Sequence, residues 1–198
     1  MKRSFAVMIA LVLLACSAFS MAETERQGAL PAYAYPGEDP MIGAIADYIS
    51  ENSSPYWDHE VECVAIPAPV ILKTVMVDDT HADMYGNFWC MKYKLEGTTL
   101  VCVSGGAAAG IMHLEMADSV WTVAAVEIAG DGEDYSRDIM RFCNGDKELE
   151  KAYFSSASVQ EDPLKSVRAR FIREYVEANQ LPVDSFQDPY WDAIMLDE

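Results

Sequence analysis

The sequence predicts an α+β domain in which an N-terminal helix packs on a curled antiparallel sheet and further helices follow. An apolar stripe at helical spacing begins after residue 39, strand-forming residues broken by turns fill 61–128, and helical periodicity returns after residue 134. The loops between successive strands are short, which is typical of antiparallel pairing because parallel strands need long crossovers. With 198 residues, about half of them apolar, the chain can bury one sizeable core.

The first 22 residues have the pattern of a signal peptide. Lys2-Arg3 precede an uncharged apolar run that is too short to span a bilayer. Two processing sites stay open: cleavage after Ala22, which ends the small-x-small triplet "SMA", or lipoprotein processing at "LLAC" with Cys16 as the acylated residue. Both predict export to the periplasm or the extracellular space of a bacterium, and the second adds a lipid anchor at the envelope.

The remaining chain is predicted to be a linker followed by a single domain. Residues 23–38 lack any period, and nothing within 39–198 resembles a second linker. The formal charge is −18 and becomes −20 without residues 1–22. Such a surface repels phosphate backbones and anionic headgroups, which argues against nucleic-acid partners and against membrane contact other than through a lipid anchor.

The first helix is predicted to begin at Asp39-Pro40, an N-cap acceptor followed by proline at the first helical position. Six strands are predicted after it, at 61–66, 69–77, 84–94, 98–104, 111–117 and 120–128. The run "SGGAAAG" at 104–110 is predicted to be a flexible loop between two of them. It imitates a dinucleotide-binding loop, but the next segment alternates with period two instead of opening a helix, so no cofactor is predicted.

Helices return in the last third of the sequence. Two short ones are predicted at 135–143 and 146–154, interrupted at Asn144-Gly145, and a longer one begins at Asp162-Pro163. The aromatic and apolar tail that ends at residue 198 is predicted to dock on the domain.

Four cysteines follow the predicted signal peptide: Cys63, Cys90, Cys102 and Cys143. They form no C-x-x-C pair and have no histidine at zinc spacing, so two disulfides are predicted and no metal site. Three connectivities exist in principle. A three-residue hairpin loop at "LEG" would place Cys90 opposite Cys102, which favours that pair and leaves Cys63–Cys143.

The central stretch "MYGNFWCMKYKLEGTTLVCVSGGAAAGIMHLEM" at 84–116, set behind one helix, resembles the NTF2-like or cystatin-like superfamily, in particular small secreted bacterial members. The resemblance covers the layout of residues 39–130. It implies a cone-shaped cavity between helix and sheet, used by some relatives for catalysis and by many for binding. The Q-x-V-x-G loop of cystatin-type protease inhibitors is absent, so that activity does not carry over.

Candidate ligand-binding residues are the large side chains on the predicted strands: Trp89, Met91, Tyr93 and Trp121. If they line a cavity, it suits a hydrophobic or aromatic small molecule. The catalytic candidates are His113 and Glu115, which share one strand face and could act together as a general base for isomerisation or dehydration. The competing interpretation is that this polar and apolar alternation marks the solvent-exposed face of a sheet.

The function predicted from sequence is an exported, non-enzymatic binding module for a small apolar molecule or a protein partner. One alternative is an isomerase or dehydratase that uses His113 with Glu115. The other is carbohydrate binding through Tyr-Trp pairs, because Pro-Tyr-Trp-Asp occurs at both 55–58 and 189–192.

Overall fold

The structure is a computed structural model, and it describes residues 29–52, 62–156 and 162–197 of the chain, without the side chains of 162 and 163. Within these ranges lie four helices and six strands. In chain order they are α1 (Pro40–Asn52), β1 (Cys63–Met76), β2 (His81–Glu96), β3 (Thr99–Ala117), β4 (Val120–Ile128), α2 (Glu133–Cys143), α3 (Lys147–Ser156), α4 (Asp162–Ala178), β5 (Ser185–Gln187) and β6 (Ile194–Met195). The fold is α+β with a curled, mixed sheet. None of the helices in the described ranges has the length and apolar character needed to cross a membrane.

The sheet is built on β3, which pairs with β2 from Thr99 to Glu115. On its opposite edge, β3 pairs with β4 antiparallel over 110–117 and with β5 parallel over 99–101. The parallel pair corrects the expectation of a purely antiparallel sheet. β5 follows the last helix in the chain and is not joined to β3 by a hairpin. A tight turn therefore does not fix its direction.

The predicted strands 61–66 and 69–77 are one continuous strand, β1. Its prolines, Pro67 and Pro69, lie on the outermost strand of the sheet. An edge strand can hold proline because the missing N–H need not enter a ladder.

The predicted loop 104–110 is wrong, since these residues form the middle of β3. β2 supplies ladder partners throughout, with Trp89 opposite Ala107 and Cys90 opposite Gly106. Glycine is required where backbones crowd, because a Cβ on Gly110 would lie 2.0 Å from the carbonyl oxygen of Glu127. The small residues therefore mark close strand packing and not a loop.

The hairpin register behind the disulfide prediction is also wrong. The turn is Gly97-Thr98, and a bulge at Lys92/Tyr93 shifts the pairs beyond it, so Cys90 faces Gly106. Cys90 packs on the α1 side of the sheet, whereas Cys102 packs on the opposite side.

In the second predicted pair, Cys63–Cys143, the two cysteines lie near different parts of β1. Cys63 begins this strand, while Cys143 packs in a cluster with Leu72, nine residues further on. Nine extended residues span about 30 Å, and a disulfide needs Cα atoms within about 7 Å. The structure contains neither predicted disulfide, Cys90–Cys102 or Cys63–Cys143.

The helix α1 covers one face of the sheet. The predicted cap is present, since Asp39 Oδ1 accepts hydrogen bonds from the backbone N–H of Met41 at 2.9 Å and of Ile42 at 3.2 Å. Ile45 and Ile49 are buried against β2 and β3 side chains such as Met84. This stripe was predicted from spacing alone.

The other helices and the tail cover the opposite face. α2 and α3 pack over the β3 end that holds Ala109 and Ile111, with the predicted break between them at Asn144 in the left-handed region. α4 packs beside β1 and over Trp89, and the tail docks next to it with Phe186 fully buried. This second group forms the candidate site.

Candidate ligand-binding cavity

A cavity of about 340 Å³ lies between the sheet, α4 and the C-terminal tail. Strand residues form its floor, one α4 side chain forms a wall, and the tail forms the rest. The lining residues are Trp89, Met91, Ser104, Gly105, Arg168, Asp188, Pro189, Tyr190 and Trp191.

Local sequence explains how these side chains meet. Trp89 and Met91 are two apart on β2 and so point to the same sheet face. Arg168 lies on the buried side of α4, four residues after Leu164 and three before Phe171, both of which are in the core. Asp188 directly follows β5, which is fixed beside β3.

A buried ion pair forms the polar centre of the cavity. Nη1 of Arg168 donates to Oδ2 of Asp188, and both side chains are only 1% exposed. The Tyr93 hydroxyl donates to the other oxygen of Asp188 at 2.7 Å. Burial lowers the pKa of the Arg168 guanidinium and raises the pKa of Tyr93, which keeps the phenol neutral and able to donate.

Two indole rings flank the guanidinium. Its Cζ lies 4.9 Å from the ring centroid of Trp89 and 5.3 Å from that of Trp191. Such cation–π contacts offset part of the cost of burying the charge. They also hold the planar guanidinium in a fixed orientation before any ligand arrives.

Among the described residues, four buried donor atoms on side chains that line this cavity have no hydrogen-bond partner. They are Nε and Nη2 of Arg168, Nε1 of Trp89 and Nε1 of Trp191. All four are N–H groups that can only donate. Nε and Nη2 form one edge of the guanidinium, the edge that binds a carboxylate through two parallel hydrogen bonds. An acceptor group bound beside them would satisfy these donors.

The structure separates the four predicted cavity residues. Trp89 and Met91 line the cavity, and Tyr93 supports it from beneath by holding Asp188. Trp121 lies elsewhere. It pairs with Met116 at the far end of β3 and packs against the buried side chains beneath α1. It was grouped with the others because the sequence does not show which segment of β3 the strand β4 joins.

The predicted catalytic pair has a different set of contacts. His113 Nδ1 lies 2.7 Å from Asp83 Oδ1, and Nε2 lies 3.3 Å from Glu127 Oε1. Glu115 is exposed and lies opposite His81 and Thr122. Neither His113 nor Glu115 lines a cavity described above or below, so their catalytic role stays a prediction.

The residues that sequence reasoning missed are Arg168 and Asp188. A signal for Arg168 was present, because a charged residue within a buried helical stripe is rare unless it is paired. Of the two Tyr-Trp copies, 55–58 lies outside the described residues. In the other, Trp191 is 8% exposed and walls the cavity, while Tyr190 is 94% exposed at its mouth with a left-handed φ of 68°.

A second cavity of about 540 Å³ lies between α1, β1 and α4. Asp39, Thr74 and Arg170 contribute to its lining, and it is more open to solvent. No buried polar atom found without a partner in the described ranges belongs to it. The lining of this second cavity therefore does not indicate which chemical group a ligand would need.

The described residues hold no cluster of three His, Cys, Asp or Glu side chains that could bind a metal ion. Comparison of the chain with protein-family models, with curated proteins and with solved structures gave no match. The resemblance to the NTF2-like or cystatin-like superfamily stays a prediction, and the function is argued from the cavity.

Proposed function

We propose that this chain is an exported binding protein, without catalytic activity, whose cavity takes a small apolar molecule that carries a carboxylate. The observation that carries the proposal is a set of four buried N–H groups, two on the Arg168 guanidinium and two on the flanking indoles, that find no acceptor among the described residues. No enzymatic step is needed to account for this arrangement. A carboxylate would accept hydrogen bonds from Nε and Nη2 of Arg168. The remaining lone pairs of its oxygens would then lie near the indole N–H groups.

The energetics favour such a ligand. A buried donor without an acceptor costs about 1–3 kcal/mol, and hydrogen bonds to charged groups contribute about 1.5–3 kcal/mol. Trp89, Met91 and Trp191 offer apolar surface for the body of the ligand. A volume of about 340 Å³ lies at the small end of the range for ligand sites, about 300–1,000 Å³, which favours a compact molecule.

Asp188 makes the site specific instead of simply cationic. It neutralises one edge of Arg168 and leaves the Nε–Nη2 edge for the ligand. Because Tyr93 also donates to Asp188, the aspartate is held in place and cannot turn to satisfy the open donors. The ligand is thus selected by two hydrogen bonds in one plane.

The test is calorimetric titration of the protein with 3-phenylpropionate and with its amide, 3-phenylpropanamide. The acid is expected to bind at least tenfold more tightly than the amide, since only the acid gives a charge-assisted bidentate pair. Arg168→Lys keeps the charge next to Asp188 but removes the planar fork, and should abolish the preference. Circular dichroism of the variant shows whether the fold is kept.

Equal affinity for acid and amide, or no heat with either, would contradict the proposal. Trp191→Phe is a graded check, because it keeps an aromatic ring beside Arg168 and removes the indole N–H together with part of the ring surface. It should weaken binding of the acid severalfold and not eliminate it.

Export forms the second part of the proposal, and it depends on residues 1–22, which lie outside the described ranges. The mass of the mature N-terminus tests it. Cleavage after Ala22 leaves an unmodified chain that starts at Glu23, whereas lipoprotein processing leaves an acylated Cys16.

A further inference from the structure

One edge of the sheet is open next to the cavity. β3 is paired on its outer edge with β5 up to Val101 and with β4 from Gly110 onward. On this outer edge, no described strand pairs with the segment 102–108 between them. We call this segment the open edge; residues 103–107 are exposed.

The backbone of the open edge offers groups for pairing. The carbonyl of Ala109 accepts a hydrogen bond from the N–H of Ala129, so the peptide groups of Ala109 face the outer edge. Peptide groups alternate between the two edges of a strand, which places the N–H and C=O of Ala107 and Gly105 on the outer edge as well.

The open edge lacks the features that normally protect an edge. Its residues, "CVSGGAA", include no charge and no proline, whereas exposed edges usually carry lysine, proline or inward-pointing charges. A Cβ on Gly106 would meet no atom within 4 Å, so the sheet face at this residue is open. Ser104 and Gly105 belong both to this edge and to the lining of the cavity.

We propose that the open edge and the cavity together bind the carboxyl-terminal segment of a partner protein. The segment adds as a strand antiparallel to β3, its last side chain enters the cavity, and its terminal carboxylate pairs with Arg168. This inference rests on the carboxylate site of the proposed function and names the class of ligand. Strand addition at a free edge supplies main-chain hydrogen bonds, and the pocket at its end supplies specificity.

The direction of the added strand follows from β4. This strand runs antiparallel to β3 and ends at Ile128 opposite Gly110. A segment that continues its line in the same direction passes Ala107 and then Gly105, so its carboxyl end arrives at the cavity. The formal charge of −18 favours basic residues in the part of the segment that lies outside the cavity.

The experiment compares three probes by calorimetry: acetyl-phenylalanine, an acetylated hexapeptide of alternating lysine and valine that ends in phenylalanine, and the same hexapeptide as its C-terminal amide. We expect the hexapeptide acid to bind at least tenfold more tightly than either of the other two. Hydrogen exchange of the amides of Gly105 and Ala107 should slow when it is bound.

A proline substitution separates the edge from the cavity. Ala107→Pro removes an N–H that faces the outer edge and no ladder bond to β2, while Ala107→Ser keeps the N–H as a matched control. Ala107→Pro should reduce hexapeptide affinity to that of acetyl-phenylalanine, and Ala107→Ser should leave it unchanged.

Each other outcome overturns the inference in a recognisable way. If acetyl-phenylalanine and the hexapeptide acid bind equally and both need Arg168, the edge plays no part and the proposed function stands. If neither acid binds, both fail. If sedimentation shows a dimer that Ala107→Pro converts to monomer, the edge pairs with a second copy of the chain, and the partner proposal is wrong.

Discussion

At the scale of the residue, Arg168 illustrates how a charge is held inside an apolar core. Moving a charged side chain out of water costs several kcal/mol, and only an opposite charge with well-placed hydrogen bonds offsets that cost. Asp188, held in place by Tyr93, pairs with one edge of the guanidinium, and two indole rings flank it. The Nε–Nη2 edge finds no acceptor among the described residues, which costs stability and which the proposed carboxylate ligand would offset.

His113 lies at the centre of a second charged cluster, which has consequences for pH. Glu127 accepts a hydrogen bond from Arg141 at 2.7 Å and also contacts His113. Arg141, and to a smaller extent His113, hold the pKa of Glu127 below its ordinary value of 4.5. A carboxyl whose pKa is depressed in the folded state stabilises the fold above its unfolded pKa, and this stabilisation is lost as the pH falls through the folded value.

Glu127→Gln should therefore lower the urea midpoint at pH 7 and have less effect at pH 3, which lies on the acid side of the ordinary pKa of 4.5. Glu115→Gln is the matched control, because Glu115 is an exposed glutamate on the neighbouring strand. Urea unfolding at both pH values measures the difference. An equal loss at pH 7 and pH 3 would show that the Glu127 charge does not contribute, since the loss would then come from packing alone.

At the scale of the element, local sequence signals predicted the helices well and the middle of the sheet poorly. Helix ends are fixed by nearby residues, such as the Asp39 cap and the left-handed Asn144, so they can be read from sequence. The middle of β3 is fixed by its neighbours instead. Its glycines and alanines favour a loop locally, and only the long partner β2 makes them a strand.

Glycines within β3 should differ sharply in their tolerance of a side chain. Gly110→Ala puts a Cβ 2.0 Å from the backbone oxygen of Glu127, so β4 must shift, and we expect a loss of about 1–3 kcal/mol in the free energy of unfolding. Gly106→Ala meets nothing within 4 Å and should change stability by less than about 0.5 kcal/mol. Urea unfolding of the two variants checks this. Equal losses would mean that the close approach of β4 to Gly110 is not real.

At the scale of the whole molecule, the candidate site joins three distant parts of the chain. Trp89 and Met91 could be selected from sequence because their size and alternation are local properties. Arg168 and Asp188 lie about 80 to 100 residues away, and their meeting depends on β5 pairing parallel to β3. A three-residue strand carries almost no periodic signal, so neither this pairing nor the cavity that it closes was predictable.

The segment 29–38, which the sequence predicts to be part of a linker, packs as part of the domain. Tyr33 stacks on Tyr175 with ring centroids 6.0 Å apart, and the Tyr175 hydroxyl donates to the carbonyl of Pro31 at 2.7 Å. Leu30 and Tyr35 also pack against the group of buried side chains that α4 shares with β1 and β2. The arm therefore completes the packing around α4.

A chain that begins at Asp39 should consequently be less stable than one that begins at Glu23. Three partly buried side chains are lost, Leu30, Tyr33 and Tyr35, and each contributes on the order of 1 kcal/mol, which predicts a loss of about 3 kcal/mol. Tyr175→Phe in the longer chain isolates the hydrogen bond to Pro31 and should cost about 1 kcal/mol. Urea unfolding compares the three proteins. If all three unfold at the same midpoint, residues 29–38 do not stabilise the domain and act only as a linker, whereas the expected order makes the arm part of the fold that supports Arg168.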